Sequence, residues 1–367
     1  MIGEIEMEKT TPRSLEYYMP AEWAKHEATW LSWPKNPLTF PDGVLPGVEK
    51  VYVQMIAALS PGEKVKLLVN DENAERHVRR LLQGSGAVME NVIFMHILSS
   101  DVWIRDYGPS FLVHMEKGWR AAVKWRFNAW GGKYDDIMYD DVAGEDVVRA
   151  ARVKVFRPGI VMEGGSIDVN GRGTVLTTEQ CLLNPNRNPK LSREDIESYL
   201  EQYLNISKVV WLISGIEGDD TDGHVDDFAR FVGPETVVCA YSEEGSGHNP
   251  EVLSTNLKIL EEYRDNYGRP FKVIKLPMPT PIPLPEEERV LPASYANFYI
   301  GNEVVLVPVF DDPMDDEAVR ILAECFPERR MVPIMARDLV YGYGGFHCVT
   351  QQEPAPTERK KAAKTTG

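Results

Sequence analysis

The sequence predicts an α/β fold in which one structural module repeats five times around a ring. Helical patterns alternate with apolar runs rich in Val, Ile and Thr, which is typical of strands interleaved with helices. Polar or glycine-rich opening segments, each leading to a strand, a turn and a more apolar strand, recur at intervals of 57, 61, 73 and 51 residues. Such self-similarity indicates a ring of blades. We therefore expect the openings to meet at a central axis, where repeat rings commonly bind ligands.

The helices are predicted from apolar periodicity and from signals at their ends. Ser192-Arg-Glu-Asp195 has the sequence of a capping box. Residues 71–83 begin with acidic side chains and end with basic ones, which matches the helix dipole. The predicted helices cover residues 47–59, 71–83, 192–203, 250–266 and 315–325.

The strands are predicted from short β-rich runs between these helices. They cover residues 65–69, 110–113, 173–177, 209–213, 236–241, 271–276 and 303–309. The proline-dense segment 277–285 is predicted to be an extended connection without regular secondary structure. Polar, basic residues from 353 onward are predicted to be disordered. The predicted organisation is an N-terminal extension (1–18), one domain (19–354) and a disordered basic tail (355–367).

Composition and charge narrow the classes of partner. The chain is 43% hydrophobic and 26% charged, which is ordinary for a soluble globular protein. Its net charge is −16, and residues 357–367 contribute +3, which leaves −19 for the rest. This balance argues against nucleic acid, which requires a basic face. An acidic surface commonly serves solubility. It also suits a cationic substrate.

Location and assembly are predicted from what the chain lacks. Residues 1–20 have no continuous apolar run, so no secretory signal is predicted. No stretch is apolar enough to span a membrane. Four cysteines in 367 residues do not indicate a disulfide framework. We expect a reduced, cytoplasmic protein with no membrane partner; the oligomeric state stays open, with a homo-oligomer as one option.

Cys348 is the cysteine whose surroundings indicate chemistry. Three of the six residues before it are glycines, which permit close backbone approach and unusual dihedral angles. By itself this segment is compatible with a buried apolar residue, a metal ligand or a nucleophile. The other cysteines are interpreted as buried apolar residues: Cys181, Cys239 and Cys325.

Three further segments carry candidate groups. In Asp222-Gly-His-Val-Asp226, His224 and Asp226 lie two apart, so an extended strand would present them on one side. They would serve as a base beside a substrate-binding acid, as metal ligands, or as a structural histidine with its partner. Asp106 precedes a Gly-Pro turn and Glu163 precedes two glycines. Their simpler interpretations are an ion pair with Arg105 and a turn.

These candidate groups stand at corresponding places in the predicted repeats, which favours a shared site over the simpler interpretations. One polar residue from each opening gives Asp106, Glu163, His224, Asn297 and Cys348. Carboxylates around a thiol suit only a cationic substrate. A guanidinium fits because it is planar, and carboxylates bind its fork of donors bidentately.

Six motifs together resemble a known family. They are Trp103-Ile-Arg-Asp-Tyr-Gly-Pro109, Phe127-Asn-Ala-Trp-Gly-Gly-Lys133, Glu163-Gly-Gly-Ser166, Leu176-Thr-Thr-Glu-Gln-Cys-Leu-Leu-Asn-Pro-Asn-Arg-Asn-Pro189, Thr221-Asp-Gly-His-Val-Asp226 and His347-Cys-Val-Thr-Gln-Gln352. From about residue 20 to 354, the chain resembles the agmatine deiminases and bacterial-type peptidylarginine deiminases of the guanidine-modifying pentein superfamily.

The resemblance implies a fold and a set of roles. The fold would be a five-bladed pseudo-symmetric α/β propeller in a single domain. Cys348 would be the nucleophile and His224 the general acid/base. Asp106 and Asp226 would hold the guanidinium, and Glu163 would orient His224 and contact the guanidinium. The reaction would hydrolyse agmatine to N-carbamoylputrescine and ammonia, with no metal or organic cofactor.

Further contacts are predicted for the rest of the substrate. The far ammonium of agmatine would meet Asp219, Asp220 or Asp222. Trp103 would line the alkyl chain or make a cation–π contact. The remaining predicted substrate contacts are Trp130, Asn297 and Gly345. Family members often read Gly-Gly-Gly-Asn-Ile-His-Cys before the nucleophile, and this chain differs there at Tyr343, Gly345 and Phe346.

Three alternatives remain open. Peptidylarginine or another guanidino compound would use the same chemistry. A metal hydrolase would use His224, Asp226, His347 and Cys348, although neighbours in an extended strand point apart. A non-catalytic propeller would only bind its ligand.

Overall fold

The structure is a computed structural model that describes residues 10–243, 250–265, 268–284 and 289–356. Its strands are β1 (Tyr17–Tyr18), β2 (His26–Ser32), β3 (Lys64–Val69), β4 (Val92–His96), β5 (Ser110–His114), β6 (Arg120–Val123), β7 (Lys154–Phe156), β8 (Asp168–Val169), β9 (Thr174–Thr178), β10 (Lys208–Leu212), β11 (Ala229–Gly233), β12 (Thr236–Tyr241), β13 (Lys272–Pro277), β14 (Ile282–Leu284), β15 (Arg289–Leu291), β16 (Tyr299–Ile300), β17 (Val304–Val309), β18 (Arg330–Met335) and β19 (Thr350–Pro354).

Helices connect these strands. They are α1 (Leu45–Leu59), α2 (Glu72–Leu82), α3 (Ile104–Tyr107), α4 (Ala129–Gly132), α5 (Asp140–Ala151), α6 (Glu179–Leu182), α7 (Arg193–Leu204), α8 (Pro250–Glu262), α9 (Asp315–Cys325) and α10 (Arg337–Val340). The predicted α/β class is confirmed. Within the described ranges, no helix is both long and apolar enough to cross a membrane.

The strands of the described residues form six sheets, and five of these share one pairing pattern. In each of the five, a strand runs antiparallel to a middle strand, which pairs in parallel with the strand after it. The five sets are β5–β6–β7, β8–β9–β10, β11–β12–β13, β16–β17–β18 and β19–β2–β3. The strand pairing therefore repeats along the chain, as the sequence intervals predict.

The two ends of the described chain meet in one sheet. Strand β19 pairs antiparallel with β2, with Thr350 opposite Leu31. Glu353 is buried and accepts hydrogen bonds from Trp30 Nε1 at 2.8 Å and Lys66 Nζ at 2.6 Å. The expectation of disorder from residue 353 is therefore wrong for 353–354, because their polar groups are paired inside the sheet. Residues 357–367 of the predicted tail lie outside the described residues.

The beginning of the chain also joins a sheet. Residues 1–9 of the predicted extension lie outside the described residues. Strand β1 pairs with β5, with Tyr17 opposite His114, and the Tyr17 side chain is buried. The part of the extension that the structure describes is thus attached to the fold through backbone pairing.

The predicted elements match the structure best where local signals are strong. The capping box at Ser192 and Asp195 is present, and α9 spans the predicted residues. The prediction for 277–285 is wrong in part, because Ile282–Leu284 is a strand. Pro283 is accommodated since β14 pairs only with β15, and a proline is tolerated on an edge strand.

Short helical turns open the modules and come together. Helix α3 and the 3-10 turns Gly164–Ser166 and Val225–Asp227 each lie just before an antiparallel strand of their sheets. Helix α3 contacts the Gly164–Ser166 turn and β19, and the two 3-10 turns contact each other. The main apolar core extends to Trp103, Phe346 and Cys348 beside these turns. The packing of the core therefore fixes the position of the opening segments.

Candidate active site

A cavity of about 420 Å³ lies at the meeting point of the openings. Trp103, Trp130 and Tyr134 supply aromatic walls, and Asp106 and Asp220 supply carboxylates. Cys348 reaches the same cavity with only 6% of its surface exposed. The cavity combines apolar walls with a few polar groups, as small-molecule sites commonly do.

The glycine-rich loop places Cys348 by close backbone approach. A Cβ atom on Gly344 would lie 2.3 Å from the Trp103 ring, and one on Gly345 would lie 2.5 Å from Asn297 Oδ1. Asn297 Oδ1 accepts a hydrogen bond from the His347 N–H at 2.9 Å. Its Nδ2 lies 3.1 Å from Cys348 Sγ. Asn297 therefore holds both the loop and the thiol.

The electrostatic surroundings of Cys348 favour the neutral thiol. Burial raises the pKa of Cys348 well above its usual value, and the carboxylates of Asp226, Asp227 and Asp106 raise it further. The Asp226 Oδ2 atom lies 3.8 Å from Sγ. A cation in the cavity would offset these charges and favour the thiolate.

His224 is a buried imidazole whose ring nitrogens have no hydrogen-bond partner among the described residues. Its Nδ1 lies 3.8 Å from Asp106 Oδ1, and its Nε2 lies 3.9 Å from Glu163 Oε2. Burial disfavours the charged ring, but the Asp106 carboxylate, Cys181 and Glu163 together outweigh burial, so the pKa of His224 is raised well above its usual value. His224 is therefore suited to donate a proton.

Glu163 is fully buried and is held by Arg187. Arg187 Nε donates to Glu163 Oε1 at 2.8 Å. Burial raises the pKa of Glu163, but the guanidinium of Arg187 and the imidazole of His224 together outweigh burial, so the net shift is downward. Arg187 also donates to Asp222 and to the Thr221 carbonyl. Glu163 thus stays ionised beside His224.

Asp106 lies between the cavity wall and the histidine. Its Oδ1 accepts from the Gly165 N–H at 2.9 Å, and its Oδ2 accepts from Trp130 Nε1 at 3.1 Å. Burial raises the pKa of Asp106 to about 6; His224 opposes the shift, whereas Asp226 and Glu163 add to it. Asp106 is an anion at neutral pH that a bound cation would stabilise.

Asp226 is bound on one side only. Its Oδ2 lies 2.6 Å from His347 Nδ1, whereas its buried Oδ1 has no partner among the described residues. Burial raises the pKa of Asp226, but the hydrogen bond with His347 and the charges of His347, His224 and Arg230 together outweigh burial, so the net shift is downward. An ionised oxygen is therefore available beside the thiol.

The structure places the sequence-predicted substrate contacts at different distances from the cavity. Trp103, Trp130 and Asp220 line it, with Asp220 accepting from the Tyr134 hydroxyl. Asn297 lies next to the thiol, and Gly345 lies against Asn297.

Two predicted carboxylates hold other parts of the protein and do not line this cavity. Asp222 accepts from Lys133 Nζ at 2.8 Å and from Arg187. Asp219 accepts from the backbone N–H groups of Thr221 and Gly223 at 2.7 and 2.6 Å. Of the three carboxylates predicted for the substrate ammonium, Asp220 is therefore the one that lines this cavity, and the predicted contact itself stays a prediction.

Three residues that contact side chains in and around the candidate site were not predicted from the sequence. Arg187 holds Glu163, Asp227 accepts from Asn297 Nδ2 at 2.8 Å, and Glu22 accepts from His347 Nε2 at 2.8 Å. Arg187 lies inside one of the six motifs, which was the available signal. Asp227 follows Asp226 directly, and a lone Glu22 near the chain start carries no local signal.

The proposed metal-ligand set is not assembled. His347 directs both ring nitrogens to carboxylates, so neither is available to an ion shared with Cys348. Two other groups bring ligand atoms within 4.8 Å of one another: Glu163, Cys181 and His224, and Asp226, Asp227 and Cys348. In the first group, Glu163 is paired with the Arg187 guanidinium. In the second group, Asp226 is paired with His347. One carboxylate of each group is therefore already bound to a hydrogen-bond donor of the protein.

Comparison with known proteins agrees with this geometry. Residues 18–354 match the Porphyromonas-type peptidyl-arginine deiminase family. An agmatine deiminase of Ectopseudomonas mendocina is 39% identical, covering 95% of this chain and 98% of the relative.

Solved structures of agmatine deiminases are also similar to this chain. The agmatine deiminase of Enterococcus faecalis is 34% identical, with a TM-score of 0.87 and coverage of 97% of this chain and 99% of that one. A cysteine-to-serine variant of C. jejuni agmatine deiminase with substrate bound is 28% identical, with a TM-score of 0.81 over 93% of this chain and 97% of that one. The chain therefore belongs to the Porphyromonas-type peptidyl-arginine deiminase family.

Proposed function

We propose that this protein is an agmatine deiminase, which hydrolyses agmatine to N-carbamoylputrescine and ammonia through a covalent intermediate on Cys348. The observation that carries the proposal is one arrangement: the Cys348 thiol and the Asp106 carboxylate line a cavity with aromatic walls, and behind them lie the buried imidazole of His224 and the buried Asp226 Oδ1, neither with a hydrogen-bond partner among the described residues. Relatives at 39% and 34% identity over nearly the whole chain are agmatine deiminases. The chemistry needs no metal or organic cofactor.

The carboxylates suit a guanidinium. Asp226 Oδ1 has no partner in the described chain, and Asp106 faces the cavity with its other contacts already made. Two carboxylates can bind the N–H fork of a guanidinium from different sides and fix the position of its central carbon. The bound cation also offsets the charges that hold Cys348 as a neutral thiol.

The first half of the reaction forms a C–S bond. As the guanidinium binds, the Cys348 thiol loses its proton to solvent, and the thiolate attacks the guanidinium carbon to give a tetrahedral adduct, which the adjacent carboxylates stabilise. His224 donates its proton to a terminal nitrogen, the C–N bond breaks and ammonia leaves. A positively charged thiouronium remains on Cys348.

The second half uses water. His224, now neutral, removes a proton from water as the oxygen attacks the thiouronium carbon. The second tetrahedral adduct collapses, the C–S bond breaks and the electron pair returns to sulfur, while the hydroxyl proton of the adduct is lost to solvent as the C=O bond of the product forms. The product carries a ureido group, and Cys348 is regenerated.

The far end of the cavity suits an ammonium. Asp220 lines it, and the aromatic walls can accompany the four-carbon chain of agmatine. Arg289 Nη2 lies 3.4 Å from Asp220 Oδ1. A substrate ammonium would therefore share the Asp220 carboxylate with the Arg289 guanidinium. We propose Asp220 as the distal contact, with Trp103 and Trp130 along the chain.

The repeated strand pairing supports a pseudo-symmetric arrangement. We propose that the five modules surround a central axis as a single-domain, five-bladed α/β propeller spanning residues 19–354. The contacts among α3, the two 3-10 turns and β19 support it. A cytoplasmic location, a role in polyamine synthesis and a homo-oligomer belong to the same proposal.

Peptidylarginine is the second candidate, because the matched family carries that activity in its description. An ammonia-release screen over agmatine, arginine, propylguanidine and a peptidylarginine tests the choice. We expect the highest kcat/KM for agmatine, lower values for propylguanidine, which lacks the ammonium, and no release by Cys348→Ser. Arginine or peptidylarginine turned over as well as agmatine would refute the substrate assignment.

A further inference from the structure

His347 lies next to the nucleophile in sequence but does not line the substrate cavity. It borders a separate small cavity together with Glu22, Arg105 and Gln352. The side chain is buried, with 2% of its surface exposed. None of the proposed reaction steps uses the His347 side chain.

The two ring nitrogens of His347 join two carboxylates. Nδ1 lies 2.6 Å from Asp226 Oδ2, and Nε2 lies 2.8 Å from Glu22 Oε2. An ionised carboxylate can only accept a hydrogen bond, so both contacts are satisfied at once by the doubly protonated ring. His347 is thus a donor at both ends.

Glu22 is itself fixed by other elements. Its Oε1 accepts from the Ile300 N–H at 2.9 Å and lies 3.0 Å from Arg230 Nη2. Its Oε2 lies 3.3 Å from Arg105 Nη2. All these side chains are buried, so the chain of contacts from Arg230 to Asp226 has little freedom to move.

The consequence falls on the two oxygens of Asp226. One oxygen is held by His347, while the other is buried and has no partner among the residues that the structure describes. We propose that His347 is a positioning residue for guanidine binding, which holds Asp226 Oδ2 so that Oδ1 stays available to the substrate. The inference rests on the proposed function, because it takes the guanidinium as the group that Oδ1 binds.

Charge adds to geometry in this arrangement. Without the hydrogen bond from His347, burial would favour the neutral form of Asp226, and a neutral carboxyl binds a guanidinium poorly. The hydrogen bond with His347 works in the opposite direction and lowers the pKa of Asp226. His347 therefore maintains both the orientation and the charge of the binding group.

A matched pair of substitutions separates the two hydrogen bonds. The amide nitrogen of Asn can replace imidazole Nδ1, and that of Gln can replace Nε2. His347→Asn should keep the contact with Asp226 and lose the one with Glu22, whereas His347→Gln should do the reverse. A role in folding alone gives no reason for these variants to differ in ligand affinity in that order.

The measurement is the Kd of methylguanidine and agmatine by calorimetry in a Cys348→Ser background, which prevents turnover. We expect roughly 10- to 100-fold weaker binding for His347→Gln and a change of less than about threefold for His347→Asn. In the chain with Cys348 intact, His347→Gln should raise KM more than it lowers kcat. Equal affinities in the two folded variants, or an unchanged His347→Gln, would overturn the inference.

A second measurement covers a Gln variant that does not fold. In ¹⁵N-histidine-labelled protein carrying Cys348→Ser, the His347 Nδ1 proton is identified by its loss in His347→Asn. Saturating methylguanidine should shift its resonance, because the same carboxylate then serves both donors; an unchanged resonance would overturn the inference. If methylguanidine binds with the predicted ranking but the enzyme with Cys348 intact releases no ammonia, the proposed function fails and the positioning role stands.

Discussion

The buried charge of Asp106 lowers the stability of the fold at neutral pH, but the same charge is needed to bind a substrate cation. Its pKa rises from 3.8 in the unfolded chain to about 6 in the fold, so the folded state binds the extra proton between these values. Its contribution to the free energy of unfolding is therefore lost as pH rises through this window. At neutral pH the cost is about 3 kcal/mol, from about 1.4 kcal/mol for each pKa unit.

Asp106→Asn should therefore remove this pH dependence: between pH 4 and pH 7.5 the free energy of unfolding should change by up to about 3 kcal/mol more favourably in the variant than in the native protein, since the amide does not titrate. The same change should abolish ammonia release, because the amide cannot balance a guanidinium. Urea unfolding and an ammonia assay measure the two effects, with exposed Asp42→Asn as the control. The same pH dependence of stability in Asp106→Asn and in the native protein would contradict this account of Asp106.

The pH profile should report the same group. As pH falls through about 6, Asp106 takes up a proton and kcat/KM for agmatine should fall. The bound guanidinium stabilises the carboxylate, so the acidic limb of kcat should lie at lower pH than that of kcat/KM. Steady-state rates between pH 5 and pH 8, on the order of ten buffers at constant ionic strength, provide the test. Coincident limbs would show that Asp106 does not face the substrate cation.

At the residue scale, sequence could predict the groups but not their support. Asp106, Glu163, His224, Asp226 and Cys348 have recognisable motifs, and the structure brings them together. Arg187, Asp227 and Glu22 act through side-chain contacts between distant segments. Such pairs depend on how the modules meet, which no local pattern contains.

The element that matters most for catalysis is the glycine-rich loop before Cys348. Gly344 has no room for a side chain, since its Cβ would lie 2.3 Å from the Trp103 ring and 3.1 Å from Cys348 Cβ. Both neighbours belong to the site, so the loop must move if a methyl group is added.

Gly344→Ala should therefore cost about 1–3 kcal/mol of stability and displace the thiol. We expect kcat/KM for agmatine to fall by roughly 100-fold or more, in line with the sensitivity of catalysis to misplacements of about 1 Å. Gly43→Ala is the matched control, because no atom of the described residues lies within 4 Å of its Cβ position. Similar activity in the two variants would mean that the loop does not set the position of Cys348.

At this scale, elements with strong local signals were predictable and those that depend on packing were not. Helix α9 and the start of α7 carry clear end signals. Helix α5 went unpredicted, and its Gly144 is explained only by the close approach of the Tyr107 carbonyl, 2.1 Å from a Cβ placed there. Strand β14 was obscured by its proline, which is tolerated because it lies in a two-stranded pair.

The whole molecule is held together where its two ends meet. The Glu353 carboxylate on β19 accepts hydrogen bonds from Trp30 on β2, Lys66 on β3 and Arg120 on β6 of the neighbouring sheet. It is fully buried, so one carboxylate links the last described strand to both the first module and the next.

Glu353→Ala should lower the free energy of unfolding by about 3–5 kcal/mol, because it leaves buried donors and cations without their partner. The folded fraction should keep its KM for agmatine, since Glu353 does not line the cavity. Chemical denaturation measures the loss, with Glu72→Ala as a control, whose exposed pair with Arg76 should contribute less than about 1 kcal/mol. A change as small as that of the control would mean that this junction does not stabilise the fold.

The repeat of one module along the chain was the most informative prediction at the molecular scale. Regular intervals between openings anticipated the repeated strand pairing of the described sheets. The pairing of β19 with β2 was not anticipated, because the polar residues of β19 look like a tail until Trp30, Lys66 and Arg120 are placed around them.

The most direct test of the account is to detect the covalent intermediate on Cys348. The enzyme is mixed with agmatine, quenched in acid during turnover and digested for mass spectrometry. We predict that the peptide containing Cys348 gains the mass of agmatine less ammonia, and that Cys348→Ser shows neither this adduct nor ammonia release. Undiminished ammonia release by Cys348→Ser would contradict the central claim.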